Sequence, residues 1–237
     1  ALPRNPIMAA TGDGFKWGAL VKNGNEVSWI LNGDTTSISD GEISDFAVST
    51  DLSRYAHVSN DVVVVDGKQV DQGSTSCCPT FSNDGSSFGY IADDSFVVIN
   101  GTASKSHLDT VDNLVISPDG TRSAYIVGGN TVVVDGEEKP KYDSVSTLTF
   151  SPDGSRFAYI ANDALLVVDG EEQDIGETTA EQIVFSPDSS RLAHVRDEMR
   201  LGRLFVDEKE YAAHRFGCAP SLLSWDCITF TSDSESI

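Results

Sequence analysis

The sequence predicts an all-β fold: a six-bladed β-propeller of four-stranded antiparallel blades, with seven blades as the runner-up. Three observations lead there. A segment of roughly 34 residues recurs along the chain, each copy carries two turn signals at fixed places, and no long stretch has a helical period.

The recurring segment reads FSPDGSRFAYI at Phe150–Ile160 and ISPDGTRSAYI at Ile116–Ile126. Looser copies run Phe185–Val195, Phe81–Ile91, Val48–Val58 and Ala10–Leu20, and a partial one starts at Phe230. The turn aspartates are Asp13, Asp51, Asp84, Asp119, Asp153, Asp188 and Asp233, spaced by 38, 33, 35, 34, 35 and 45 residues. Between anchors an apolar run ends in Asn-Gly or Asp-Gly, the two-residue hairpin signal, because both residue types tolerate positive φ. The sixth copy, Asp207-Glu208, lacks the glycine, so a different turn is expected there.

Each repeat therefore reads as four short strands, one blade. In the copy near Thr147 they are predicted at Thr147–Phe150, Arg156–Ile160, Leu165–Val168 and Glu171–Asp174. The second and third strands are apolar on both faces, as strands sandwiched between neighbouring blades must be. One position in the second strand is always small (Gly18, Ala56, Gly89, Ala124, Ala158, Ala193), which implies close blade-to-blade approach. The whole of 1–237 is read as a single propeller domain.

These motifs resemble the TolB-like, Ser-Pro-Asp-Gly type of propeller repeat, a relative of the tryptophan–aspartate repeat propellers. The resemblance covers nearly the whole chain. It implies architecture rather than one activity, because such propellers serve as binding modules, scaffolds and accessory domains.

The ends allow two arrangements. A first strand at Pro6–Ala10 and another at Cys227–Thr231 either close one ring within the chain, or leave a surplus strand that pairs with a second molecule. Intramolecular closure is favoured, since closed repeats protect their edges.

The formal net charge is -21. A surface this negative repels phosphate backbones, so nucleic-acid binding is not expected, whereas basic partners or cations are attracted. Apolar runs such as Val62–Val65 are too short for membrane insertion. The four cysteines suit an oxidising compartment, hence an extracellular, cell-surface or periplasmic location. Cys218 and Cys227 bracket a loop that a disulfide would close, while Cys77 and Cys78 either bond to each other or elsewhere. Their spacing lacks the two cysteine pairs of a zinc site. Asn100-Gly101-Thr102 is a glycosylation sequon in an expected turn.

No catalytic signature is present: no Gly-x-Ser-x-Gly elbow, no His-Glu-x-x-His, no phosphate-binding loop. His57 and His194 occupy the position of Tyr90, Tyr125 and Tyr159, so both read as structural. Arg54, Arg122, Arg156 and Arg191 recur three residues after their turn aspartates and read as recurrent Arg–Asp pairs, each worth ~0–1 kcal/mol if half-exposed. Ligand or partner contacts are expected from non-repeating residues entering the first strands: Asp40, Glu42, Asp109, Asp112, Asp143, Glu177, Glu181 and Trp225. No cofactor is expected, and a bound cation such as calcium is left open.

The leading functional reading is a non-catalytic extracellular or surface propeller, a protein-interaction or structural module. The alternatives are a self-assembling filament subunit and an extracellular hydrolase or lyase with an acidic site at the channel mouth.

Overall fold

The computed structural model describes residues 8–10, 16–39, 41–70, 76–176, 179–198 and 201–214, of which 8–10, 179–181, 196–198, 201–202 and 212–214 are described by backbone alone. The described residues form six four-stranded sheets of antiparallel strand pairs. The first blade comprises β1 (Met8–Ala10), β2 (Trp17–Asn23), β3 (Glu26–Leu31) and β4 (Asp34–Ser39). The second comprises β5 (Asp45–Val48), β6 (Tyr55–Ser59), β7 (Val62–Val65) and β8 (Lys68–Gln69). The third holds β9 (Ser76–Phe81), β10 (Phe88–Ala92), β11 (Phe96–Ile99) and β12 (Thr102–Ala103). The fourth holds β13 (Val111–Ile116), β14 (Ser123–Val127), β15 (Thr131–Val134) and β16 (Glu137–Glu138). The fifth holds β17 (Val145–Phe150), β18 (Phe157–Ala161), β19 (Leu165–Val168) and β20 (Glu171–Asp174). The sixth holds β21 (Thr179–Phe185), β22 (Leu192–Glu198), β23 (Leu201–Val206) and β24 (Lys209–His214). Six blades therefore stand, and the first takes its four strands from Met8–Ser39 alone. The expected C-terminal strand at Cys227–Thr231 lies outside the described residues.

The chain divides into two compact units, Ala1–Ile116 and Ser117–Ile237. Within each, clusters of apolar side chains join successive blades, and a further one, Ala193, Val195, Leu204 and Val206, lies within the sixth blade. In the first unit, Ala56, Val58, Val63 and Val65 of the second blade meet Phe88, Tyr90 and Val98 of the third. In the second unit, Ala158, Ile160 and Leu166 of the fifth blade meet Ile183, Phe185 and Leu192 of the sixth. β10 and β18 are buried at every residue, as strands covered on both faces require. The small position is explained directly. Ala56, Ala124, Ala158 and Ala193 have no exposed surface. At Gly18 the ring of Trp29 fills the space a Cβ would take.

Two turns shape each blade. The hairpin between the third and fourth strands places both central residues in the left-handed region, for instance Asp66 (φ 49°) and Gly67 (φ 76°). Asp207 (φ 46°) and Glu208 (φ 69°) adopt the same turn without glycine, against the expectation of a different one. The second-to-third connection, read from sequence only as short, is a second hairpin of this kind: Asn60-Asp61, Asp93-Asp94, Gly128-Gly129 and Asn162-Asp163 all have positive φ.

The Ser-Pro-Asp-Gly turn is organised around a buried hydroxyl. Ser151 is fully buried. Its Oγ donates to Asp153 Oδ1 at 2.7 Å and accepts from the Arg156 N–H at 2.9 Å. Ser49, Ser82, Ser117 and Ser186 accept from the N–H five residues ahead in the same way. The turn aspartate also accepts from a backbone N–H of its own turn, as at Ser155 (3.0 Å).

Two substitutions test this account. Ser151→Ala strips the acceptor from a part-buried N–H, and urea unfolding should show a loss of about 1–3 kcal/mol. Ala158→Val forces two methyl groups between blades and should cost a similar ~1–3 kcal/mol by the same measurement.

Candidate functional site

The recurrent polar side chains are engaged inside the scaffold. Each arginine reaches its own blade's hairpin aspartate rather than the turn aspartate three residues before it. Arg54 Nε donates to Asp66 Oδ2 at 2.9 Å, Arg122 to Asp135 at 2.8 Å, Arg156 to Asp169 at 3.0 Å and Arg191 to Asp207 at 2.9 Å. Three of these guanidinium groups also extend to the next blade. Arg54 donates to Gly85 O and lies 5.2 Å from the Phe81 ring centre. Arg122 donates to Gly154 O and covers Phe150. Arg156 donates to Ser190 O and covers Phe185. The ion pairs are half-exposed, so each contributes ~0–1 kcal/mol, and the ring contacts add ~0.5–1 kcal/mol.

Clefts between blades line up with this seam. One of about 490 Å³ lies between the second and third blades, lined by Arg54, Val65, Phe88 and Tyr90. Its equivalents in the second unit measure about 350 Å³, beside Tyr142 and Tyr159, and about 530 Å³, beside Leu192 and His194. In the former, Tyr142 Oη donates to Glu172 Oε1 at 2.7 Å. Burial first, then that bond, push the Tyr142 hydroxyl above the usual phenol range, so it stays a donor. These clefts recur because the blades recur.

Non-repeating residues sit at the other end of the strands, where the chain enters each first strand and where the second-to-third hairpins project. In the first unit, hydrogen bonds bring the entry segments onto these hairpins and the strands beside them. Val111 N–H donates to Asp94 O (2.7 Å), His107 N–H to Ser95 O (2.8 Å), and Ser59 Oγ to Glu42 O (3.1 Å). The predicted Glu42, Asp109 and Asp112 thus share this end with Asp61, Asp93 and Asp94, and all six are exposed. Desolvation raises Asp112 above the ordinary carboxylate range, although its side chain remains exposed. Leu108, fully exposed, stands beside Asp109. Sequence reasoning missed Asp61, Asp93 and Asp94, since the tight hairpin that places them was read as an unspecified connection.

In the second unit Asp143 lies at the equivalent end, its N–H bound to Asn162 Oδ1 at 2.8 Å. Asp40, Glu177, Trp225, Cys218 and Cys227 lie outside the described residues, and Glu181 is described only as part of the β21 backbone. The sulfur atoms of Cys77 and Cys78 lie within bonding distance of each other. Asn100 is occupied within its blade: its Oδ1 accepts from the Phe88 N–H, and Nδ2, the atom a glycan would take, donates to Ser87 Oγ at 3.2 Å. Among the described residues no group of three His, Cys, Asp or Glu side chains could hold a metal ion, and no helix is long and apolar enough to cross a membrane.

No family model matches the chain. No curated protein matches it. Among solved structures it is similar to a tryptophan–aspartate repeat-type propeller chain in "Crystal Structure of Mitotic Checkpoint Complex". The TM-score is 0.59 at 11% identity, over 88% of this chain and 76% of that chain. At this identity the likeness shows the propeller fold, and 824 solved chains match, so the fold alone singles out no activity.

The protonation states give a pH signature. The hydroxyls of Ser117 and Ser151 hold Asp119 and Asp153 below the ordinary carboxylate range, and the Ser86 N–H does so for Asp84. Their folded pKa values are depressed, so the stability they contribute is complete above about pH 4 and is lost as pH falls further. His57 is 2% exposed, its Nδ1 has no hydrogen-bond partner, and burial lowers its pKa. The unfolded chain takes up that proton first, so stability also declines as pH falls below about 6.5. Urea midpoints measured from pH 7.5 to 2.5 should show both declines. His57→Tyr, which installs the residue of the equivalent blades, should shrink the upper one and leave the lower.

Proposed function

We propose that the chain is a single protein-interaction domain, secreted or surface-exposed and non-catalytic, related to the TolB-like propellers. In this reading the acidic end of the first unit receives a basic segment of a partner protein. The observation that carries it is the division of labour among polar side chains. The repeated Ser, Asp and Arg residues are consumed by turns and seams, whereas exposed carboxylates and Leu108 gather where the strands begin. The likeness to a propeller chain in a complex supports a protein partner. The net charge of -21 supports a basic one, because opposite potentials steer encounter and select partners.

The test compares a lysine- and arginine-rich peptide with an acidic peptide of the same length by titration calorimetry. Binding is expected for the basic peptide only, weakening as salt rises through the screening range. The fourfold variant Asp93→Asn, Asp94→Asn, Asp109→Asn, Asp112→Asn should weaken it roughly tenfold, about 1.4 kcal/mol. Equal binding of both peptides, or affinity indifferent to salt, would remove the basis for this reading.

A further inference from the structure

We propose that Cys77 and Cys78 form a reversible dithiol–disulfide pair, a thiol-exchange site that opens and closes without unfolding its blade. The inference is independent of the binding partner proposed above.

A disulfide stabilises a fold mainly by closing a loop of unfolded chain, and the gain grows with the length of that loop. Cys77 and Cys78 are adjacent in sequence. A bond between them restricts almost none of the unfolded ensemble, so a structural staple is not what it supplies.

The backbone at the pair is instead set by the repeat. Cys78 sits at a bulge in β9, with φ 61°. Six residues before their own turn aspartates, Asn113 (φ 57°) and Thr147 (φ 56°) adopt the same left-handed conformation. Neither residue can form a disulfide, so the bulge exists without one. The Cys78 N–H is held by Asp45 Oδ2 of the neighbouring blade at 2.8 Å, a bond that involves no sulfur. On either side of the bulge the ladder to β10 continues, with Cys77 opposite Ile91 and Thr80 opposite Gly89. The strand is therefore built to the same shape in both oxidation states.

Access follows from position. Cys78 is exposed and Cys77 half-buried, so an incoming thiolate meets the Cys78 sulfur first. Attack there forms a mixed disulfide and releases the Cys77 thiolate, which takes up a proton. The second thiolate of an external dithiol then attacks the mixed disulfide at the reagent's own sulfur and releases Cys78. The net change is a two-electron reduction: the dithiol becomes a cyclic disulfide, and its two protons end on the cysteines. The neighbouring Asp45 carboxylate and the acidic face repel anionic thiolates. Reagents with uncharged or cationic groups are thus the class this site takes.

The test exposes the full-length native protein to dithiothreitol, alkylates it, and locates the label by peptide mapping, which separates this pair from Cys218 and Cys227. Expected results are double labelling of the Cys77–Cys78 peptide under native conditions and loss of that label after reoxidation. The Cys77→Ser, Cys78→Ser variant should melt within about 3 °C of the oxidised wild type, the scale of a 1 kcal/mol change in a chain of this size. At low salt the cationic thiol cysteamine should reduce the pair at least about threefold faster than anionic mercaptoethanesulfonate, each rate normalised to a neutral small disulfide, with the gap closing in high salt. The proposal is overturned by labelling of the untreated oxidised protein, by labelling only after denaturation, by failure to reoxidise, by a large loss of melting temperature in the double variant, or by equal normalised rates for the two thiols.

Discussion

A buried serine hydroxyl at the start of the turn, described in the second to sixth blades, is the constraint on which those blades depend. It accepts from the backbone N–H five residues downstream, and it donates its own O–H to the turn aspartate. Those two bonds close the turn through which the first strand leads into the second. The second strand is the one sandwiched on both faces, so its direction decides whether a small residue such as Ala158 meets the next blade closely. Burial between blades, the chief source of apolar stabilisation here, therefore rests on a few polar bonds at one end of each sheet.

Much of this was legible in the sequence because each signal has a local cause. Ser-Pro-Asp-Gly and Asp-Gly encode turns by residue type, and the apolar second strand encodes burial on both sides. The predicted Leu165–Val168 and Glu171–Asp174 match the observed strands residue for residue, and Arg156–Ile160 differs from Phe157–Ala161 by one at each end. What escaped was non-local or chemically ambiguous. Arg54 was expected to pair with an aspartate, but only the pleat of the sheet reveals that Asp66, twelve residues on, is the one in reach. The Asn60-Asp61 and Asp93-Asp94 hairpins were hidden because they lack glycine, although asparagine and aspartate tolerate left-handed backbone nearly as well.

The candidate site was less legible than the fold for a related reason. Its residues are defined by what they do not do. Asp109 and Asp112 stand out in the sequence only by their place outside the repeat, and the structure adds that Asp119, Asp135 and Asp153 are occupied in turns and seams. In a chain with 37 acidic residues, residue type alone does not say which carboxylates are engaged in the scaffold. Geometry shows that, by placing the recurrent chemistry at one end of the strands and the variable residues at the other.

The seam between blades varies from blade to blade in a constrained way. Arg54, Arg122, Arg156 and Arg191 each have an aspartate as hairpin partner, and the first three each meet a phenylalanine ring of the following blade. In the first blade Lys16 stands at that position, Asn32 in the hairpin and Val48 in the next blade; in the third blade these become Ser87, Asn100 and Ile116. Aspartate and asparagine present the same Oδ1 to the second strand, at Tyr55 and at Phe88 alike. They differ only at the outer atom, an acceptor for arginine or a donor to serine. A cation facing asparagine keeps its other contacts, as Lys16 does with Asp51 O, whereas serine facing aspartate would strand a carboxylate. Three combinations thus stand side by side in one chain: arginine with aspartate, lysine with asparagine and serine with asparagine, each with the hairpin Oδ1 accepting from the second strand.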